Sequence, residues 1–101
     1  MPKKEKIDDF LRQYKQFLKK KNVLKAFLFG SWAKDNYSPY SDLDILIIIE
    51  SSHKKMRDRL PDFLPRHAPV GVDVFVYTKE EAEKSSFVKK IIKEAIPLIE
   101  S

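Results

Sequence analysis

Asp42 and Asp44 stand two residues apart at the mouth of one of the most apolar runs in the chain, "SDLDILIIIE" (41–50). Side chains alternate along a strand, so both carboxylates project from one face. Two like charges at the start of a buried strand repel each other and resist burial. They are tolerable if they face solvent, and useful if something doubly positive sits between them. A third carboxylate, Asp73, stands near the start of another apolar run, "VGVDVFVY" (70–77). If the two runs pair as strands, Asp73 comes beside the first two. Three convergent carboxylates make a hard, oxygen-only donor set that suits Mg2+ or Mn2+, ions that also take phosphate oxygens. Two such ions would cancel the repulsion, activate an attacking oxygen and stabilise a leaving one in a phosphoryl displacement.

Gly30-Ser31 supplies the complementary half. Glycine lets the backbone turn tightly and approach a ligand closely. Ser31 then opens a helical turn whose free N–H groups and hydroxyl can hold phosphate oxygens. Each part has a plainer reading. Gly-Ser after a strand is more often a turn than a phosphate site. A D-x-D pair can be a solvated edge, and Asp73 can be a charge that blocks edge-to-edge pairing. The combination carries the argument, because a phosphate cradle a few residues from a metal cage is what a nucleoside triphosphate needs.

The elements that must position these residues are legible from pattern. Ile7, Phe10, Leu11, Tyr14, Phe17 and Leu18 recur at three- and four-residue steps and predict an amphipathic helix over 5–21. Asp8 and Asp9 lie in its early turns and Lys19, Lys20 and Lys21 in its last, as the macrodipole favours, and Asn22 can stop it. Residues 23–29 read as a short buried strand ended by Gly30, residues 31–34 as one helical turn, and "DNYSPYS" (35–41) as a loop. Residues 43–49 form a second strand. Residues 53–64 look helical, with Met56, Leu60 and Leu64 on one face, interrupted by Pro61 and Pro65. Residues 70–77 give the third strand. Thr78 and Glu81 form a capping box for a short helix, and Ser85 or Ser86 caps a last helix carrying Phe87, Val88, Ile91, Ile92 and Ala95. Pro97 ends it, and "IPLIE" reads as a short edge strand. The predicted fold class is α/β, an α+β mixed sheet flanked by helices, in one domain spanning 1–101.

Composition fits that reading. The chain has 101 residues, 43% of them hydrophobic, which is enough to build a core. It has no cysteine, so disulfides and thiolate zinc sites are excluded. No apolar run approaches the ~20 residues of a membrane span, and the basic start leads into an amphipathic stretch rather than a signal-peptide core. A cytoplasmic protein without membrane contact is the simplest expectation. The net charge of +5 favours anionic partners such as nucleotides or nucleic acid, against the plainer reading of a lysine-rich, solvated surface. Trp32, the single tryptophan, reads as a core aromatic in preference to a base-stacking one. Tyr37 and Tyr40 read as structural or exposed, and His53 and His67 as surface residues.

"GSWAKDNYSPYSDLDILI" resembles the G-S-x-A-[RK]-x(n)-S-D-x-D-[IL] signature of the polymerase-β-like nucleotidyltransferases, and the carboxylate in "VDVFV" falls where that family places its third. The length is similar to that of the minimal nucleotidyltransferases, which often pair with HEPN-domain partners in toxin–antitoxin systems. The resemblance runs from about Leu24 to Leu98. It implies the polymerase-β-like nucleotidyltransferase fold. It also implies that Asp42, Asp44 and Asp73 bind two Mg2+ ions, with Mn2+ as a substitute, and that Asp73 helps to activate the attacking hydroxyl. Gly30, Ser31, Lys34 and Ser41 would hold the nucleotide. Lys34 falls where many members carry arginine and keeps the charge without the planar fork. Asp35 falls where many carry glycine and adds a negative charge near an anionic ligand.

The expected activity is therefore transfer of a nucleoside monophosphate, AMP from ATP, to a hydroxyl, with a tyrosine of a helical HEPN-type partner as the acceptor the resemblance implies. Two rivals use different features. A binding module would neutralise a partner by contact without chemistry, and the intact carboxylate trio argues against it. A basic nucleic-acid-binding domain would use charge rather than the trio. A domain of this size has little surplus chain for an acceptor pocket. The apolar residues Ile96, Leu98 and Ile99 are expected to leave a patch for a partner.

Overall fold

A computed structural model describes residues 4–34 and 41–100. Four strands form one sheet in the order β3-β2-β1-β4. They are β1 (Val23–Phe29), β2 (Leu43–Ile49), β3 (Val72–Thr78) and β4 (Ile96–Ile99). β1 pairs antiparallel with β2 and with β4, whereas β2 and β3 run parallel. The sheet is mixed, as expected. A parallel pair needs a crossover, and the segment between β2 and β3 supplies it with α2 (Met56–Arg59) and a 3-10 turn over Leu60–Asp62. Three further helices complete the described fold: α1 (Lys4–Lys19), α3 (Lys79–Lys84) and α4 (Ser86–Ile92).

Strand alternation sorts the core into two layers. Ala26, Leu28, Leu43, Ile45, Ile47, Val74 and Val76 meet Ile7, Phe10, Leu11, Tyr14 and Leu18 of α1. Phe27, Leu46 and Ile48 point the other way, against Ala82 of α3 and Val88 of α4. β2 is central and covered on both faces, which explains why its residues 45–49 are uniformly apolar and buried instead of alternating.

α1 ends as its sequence predicts. Lys20 N–H donates to Phe17 O at 3.2 Å and Lys21 N–H to Leu18 O at 2.9 Å, tightening the last turn. Asn22 then takes φ 58°, the left-handed stop that asparagine tolerates. The capping box of α3 is formed by Thr78 and Glu81, and Ser85 caps α4 by accepting from Val88 N–H at 3.1 Å.

The expected helix over 53–64 is shorter and faces differently. Pro61 lacks an N–H and confines the chain to one α-helical turn followed by a 3-10 turn. Met56 and Leu64, expected on the buried face, are exposed, while Arg59 and Phe63 are buried. The third strand begins at Val72 rather than at 70. β4 forms where "IPLIE" suggests an edge strand, but its apolar residues do not make one patch: Ile96 is exposed, while Leu98 and Ile99 pack against the core. Among the described residues, no helix is long and apolar enough to cross a membrane.

Candidate active site

The carboxylates meet at one end of the sheet. Asp44 pairs in register with Phe29 of β1 on one side and with Asp73 of β3 on the other. It therefore shares a face with Asp73, and Asp42, two residues before it and just ahead of the strand, lies near enough for its charge to act on Asp44. Asp42 and Asp73 are exposed and Asp44 is half-buried. Burial is the main reason that the Asp44 carboxyl titrates above the usual carboxylate range, and the neighbouring charges of Asp73 and Asp42 push it further the same way. The sheet thus brings together the three acids that the sequence places 31 residues apart along the chain.

Both glycines press on this cluster. Gly30 follows β1 directly with φ 80°, a conformation that L side chains rarely adopt. A Cβ there would collide with Asp44 Oδ2 and sit 3.2 Å from Asp44 Cγ. At Gly71 a Cβ would collide with Asp42 Oδ1 and sit 2.9 Å from Asp42 Cγ. Leu43 N–H donates to Gly71 O at 2.9 Å, so the start of β2 is tied to the start of β3 at the point where Asp42 needs room. The role of Gly71 beside Asp42 is invisible in sequence, because 29 residues separate them. The scarcity of glycine, two in the chain, is the one signal that could have pointed to it.

Ser31 to Lys34 form a tight turn, with Ala33 N–H donating to Gly30 O at 3.1 Å and Lys34 N–H to Ser31 O at 3.2 Å. Trp32 is buried, as its aromatic bulk predicts, and its indole N–H donates to Ser41 O at 2.8 Å. That bond fixes the backbone just before Asp42 to the turn just after Gly30. Ser41 is half-buried at this junction. Lys34 reaches the end of the chain segment after α4, where its Nζ lies 2.8 Å from Glu94 Oε2, and this cation holds the Glu94 carboxyl below its usual range. His53 and His67 are exposed and distant in role from the cluster. Asp35, Tyr37 and Tyr40 lie outside the described residues.

The donor set is all carboxylate oxygen, the chemistry of a hard divalent ion. The repulsion from Asp73 and Asp42 that adds to the effect of burial on Asp44 is what such an ion would relieve. Among the described residues, no three His, Cys, Asp or Glu side chains are already grouped tightly enough to hold one ion. The carboxylates fit a divalent cation by type and by charge.

A mixed four-stranded sheet with helices on both faces, and acids gathered beside a Gly-Ser turn, is the architecture of a nucleotidyltransferase. The chain belongs to the nucleotidyltransferase domain family, whose model matches residues 11–99. It is 32% identical over 90 residues to a Methanocaldococcus jannaschii protein named "Putative protein adenylyltransferase", covering 87% of this chain and 89% of that one. The fold is similar to that of a "putative nucleotidyltransferase" from Sulfolobus solfataricus solved by crystallography, with a TM-score of 0.61 and 20% identity, over 92% of this chain and 82% of that one. Nucleotidyl transfer is thus the class of reaction that the family supports for this chain.

Proposed function

We propose that this protein transfers AMP from ATP to a hydroxyl of a partner protein and releases pyrophosphate. The observation that carries the proposal is Asp44, half-buried between two further carboxylates and pressed against Gly30. A cluster of like charges is costly unless a cation joins it, and the adjoining Gly-Ser turn brings the Ser31 hydroxyl near it for a polyphosphate. The adenylyl group and the protein acceptor draw support from the name of the archaeal relative.

Asp42, Asp44 and Asp73 would hold Mg2+ or Mn2+, which when bound supplies charge neutralisation for the phosphates and the leaving pyrophosphate. Gly30 and Ser31 would hold the triphosphate, with the Ser31 hydroxyl donating to a phosphate oxygen. Lys34 would leave Glu94 for the phosphates. Asp73, exposed at an edge strand, is open to an incoming acceptor and would take its hydroxyl proton. The new bond joins the acceptor oxygen to the α-phosphorus, and the bond to the pyrophosphate oxygen breaks. The acceptor partner would be a small helical protein of the HEPN type, for which this chain would serve as antitoxin.

The test is incubation with α-labelled ATP, Mg2+ and the protein encoded beside this one in the genome. The expected result is label on the partner, absent with Asp42→Asn. Equal labelling by that variant would remove the carboxylate mechanism. Neutralisation of the partner without any label would favour the binding module.

A further inference from the structure

We infer that the groove between the Gly30 turn and α4 receives the base of the nucleotide, and that Phe87 is its stacking platform. The inference rests on the proposed nucleotidyl transfer and adds to it the element that recognises the nucleoside. The groove has a volume of about 240 Å³ and is lined by Phe29, Gly30, Lys34, Phe87, Lys90 and Ile91, with Glu94 at its rim. Gly30, one of its lining residues, is pressed against Asp44, so the groove adjoins the carboxylate cluster.

The face of the sheet settles which side chains accompany the acids. Phe29 is the register partner of Asp44, and Phe75 lies two residues after Asp73 on the same side of β3. The aromatic floor therefore starts where the carboxylates end. Phe87 closes it from α4: its ring centroid lies 6.2 Å from Phe29 at 87°, 5.9 Å from Phe75 at 60° and 6.4 Å from Tyr77 at 31°. Three rings thus hold Phe87 in place on one side, yet the residue remains 44% exposed. α4 buries Val88 for its own packing, so Phe87 carries more apolar surface than the fold uses.

A ring already immobilised by its neighbours loses little freedom when a flat π-system settles on it. Base-on-aromatic stacking is tolerant of base identity and is worth about a tenfold or greater gain in affinity. The cations at the groove suit the same ligand, since Lys34, paired with Glu94, and Lys90 both line it and can meet phosphate charge. Trp32, the aromatic nearest the motif in sequence, is buried and tied to Ser41, so Phe87 takes the stacking role that its position in sequence does not suggest.

The experiment compares dissociation constants for ATP and for inorganic tripolyphosphate, each with Mg2+, in the full chain by calorimetry. Phe87→Ala is expected to weaken ATP about tenfold and to leave tripolyphosphate unchanged. Phe87→Leu, which keeps apolar bulk, is expected to stay weak for ATP, and Phe87→Trp to restore it. Ser31→Ala is expected to weaken both ligands. ATP affinity undiminished in Phe87→Ala, or restored by leucine, would overturn the stacking platform while leaving the transfer reading intact. Equal losses for ATP and tripolyphosphate would overturn it as well, by showing that Phe87 acts on the phosphates. Wild-type protein that binds neither ligand would overturn both.

Discussion

Asp44 is where the fold and the chemistry pull in opposite directions. Because burial and then its acidic neighbours raise its titration, the folded chain favours the charged carboxylate less than the unfolded chain does, and this costs stability at neutral pH until a cation joins it. Asp44→Asn keeps the shape and removes the charge. It is expected to raise the melting temperature of metal-free protein and to lower label transfer by at least about 100-fold, as loss of a preorganised charged group does. A fall in metal-free melting temperature would show that burial and repulsion are not the stress that we assign to Asp44. The glycines separate two effects that are usually confounded. Gly30→Ala must hold a positive φ and also clear Asp44, so it is expected to lose about 1–2 kcal/mol of stability together with activity. Gly71→Ala carries no such backbone strain, and the nearest atoms its Cβ meets are those of the Asp42 carboxylate. Transfer is expected to fall while the melting temperature holds, and paired melting and labelling assays check both. The acids themselves are legible in sequence because spacing of two on a strand fixes a shared face, and the structure brings Asp73 beside them through register. The clearance at Gly71 and the ring at Phe87 are not legible, because both depend on contacts across strands and helices that local pattern does not encode.

Most elements with strong local signals match their expected bounds to within a residue or two. The last helix, expected to carry Ala95 and to be ended by Pro97, stops at Ile92, and the helix over 53–64 fails for a local reason. The helix over 53–64 has apolar spacing, but Pro61 limits it to a single α-helical turn, and the residues it buries are Arg59 and Phe63. A buried arginine contradicts any reading by hydropathy. It is accommodated because its guanidinium donates to both Glu81 oxygens, at 2.6 and 3.0 Å, and to the carbonyls of Lys54 and Val76 at 3.0 and 3.2 Å. One residue thereby ties the crossover to β3 and α3. Glu81 also accepts from Thr78 N–H at 2.8 Å, so the capping box and the ion pair share a carboxylate. Arg59→Ala removes all these bonds at once and is expected to cost about 2–3 kcal/mol, measured by denaturant unfolding. The Arg59 guanidinium, then the Thr78 N–H, holds the Glu81 carboxyl down at about 2. The sign follows from that direction. The depressed group stabilises the fold above its ordinary value of 4.5, and the contribution is lost as pH falls towards about 2. Wild-type protein should therefore lose more melting temperature between those limits than Glu81→Gln does, and parallel curves would remove Glu81 as the source.

At the scale of the molecule, a small focus of negative charge sits in a chain of net charge +5. The excess positive charge draws any anion, nucleotide or nucleic acid alike, over a screening length of about 8 Å at physiological salt. It therefore cannot by itself distinguish an enzyme of nucleotides from a basic binding domain. The carboxylate focus can, because a divalent cation should be drawn to it against the overall field. Binding to the folded state alone stabilises by mass action, about 2.7 kcal/mol at a hundredfold excess over the dissociation constant. In a domain of this size that corresponds to a rise in melting temperature of roughly 10 °C or more. The expected outcome is a saturable rise with Mg2+ or Mn2+ in wild-type protein that disappears in Asp42→Asn, since that residue is exposed and its loss spares the core. Oligonucleotide affinity, if the positive surface supplies any, should fall steeply with salt and be the same in both proteins. An equal metal-induced rise in the two would move the ion away from these carboxylates. A rise lost in the variant, together with unchanged oligonucleotide binding, would separate the site from the surface charge around it and leave the site as the part of the molecule that carries the chemistry.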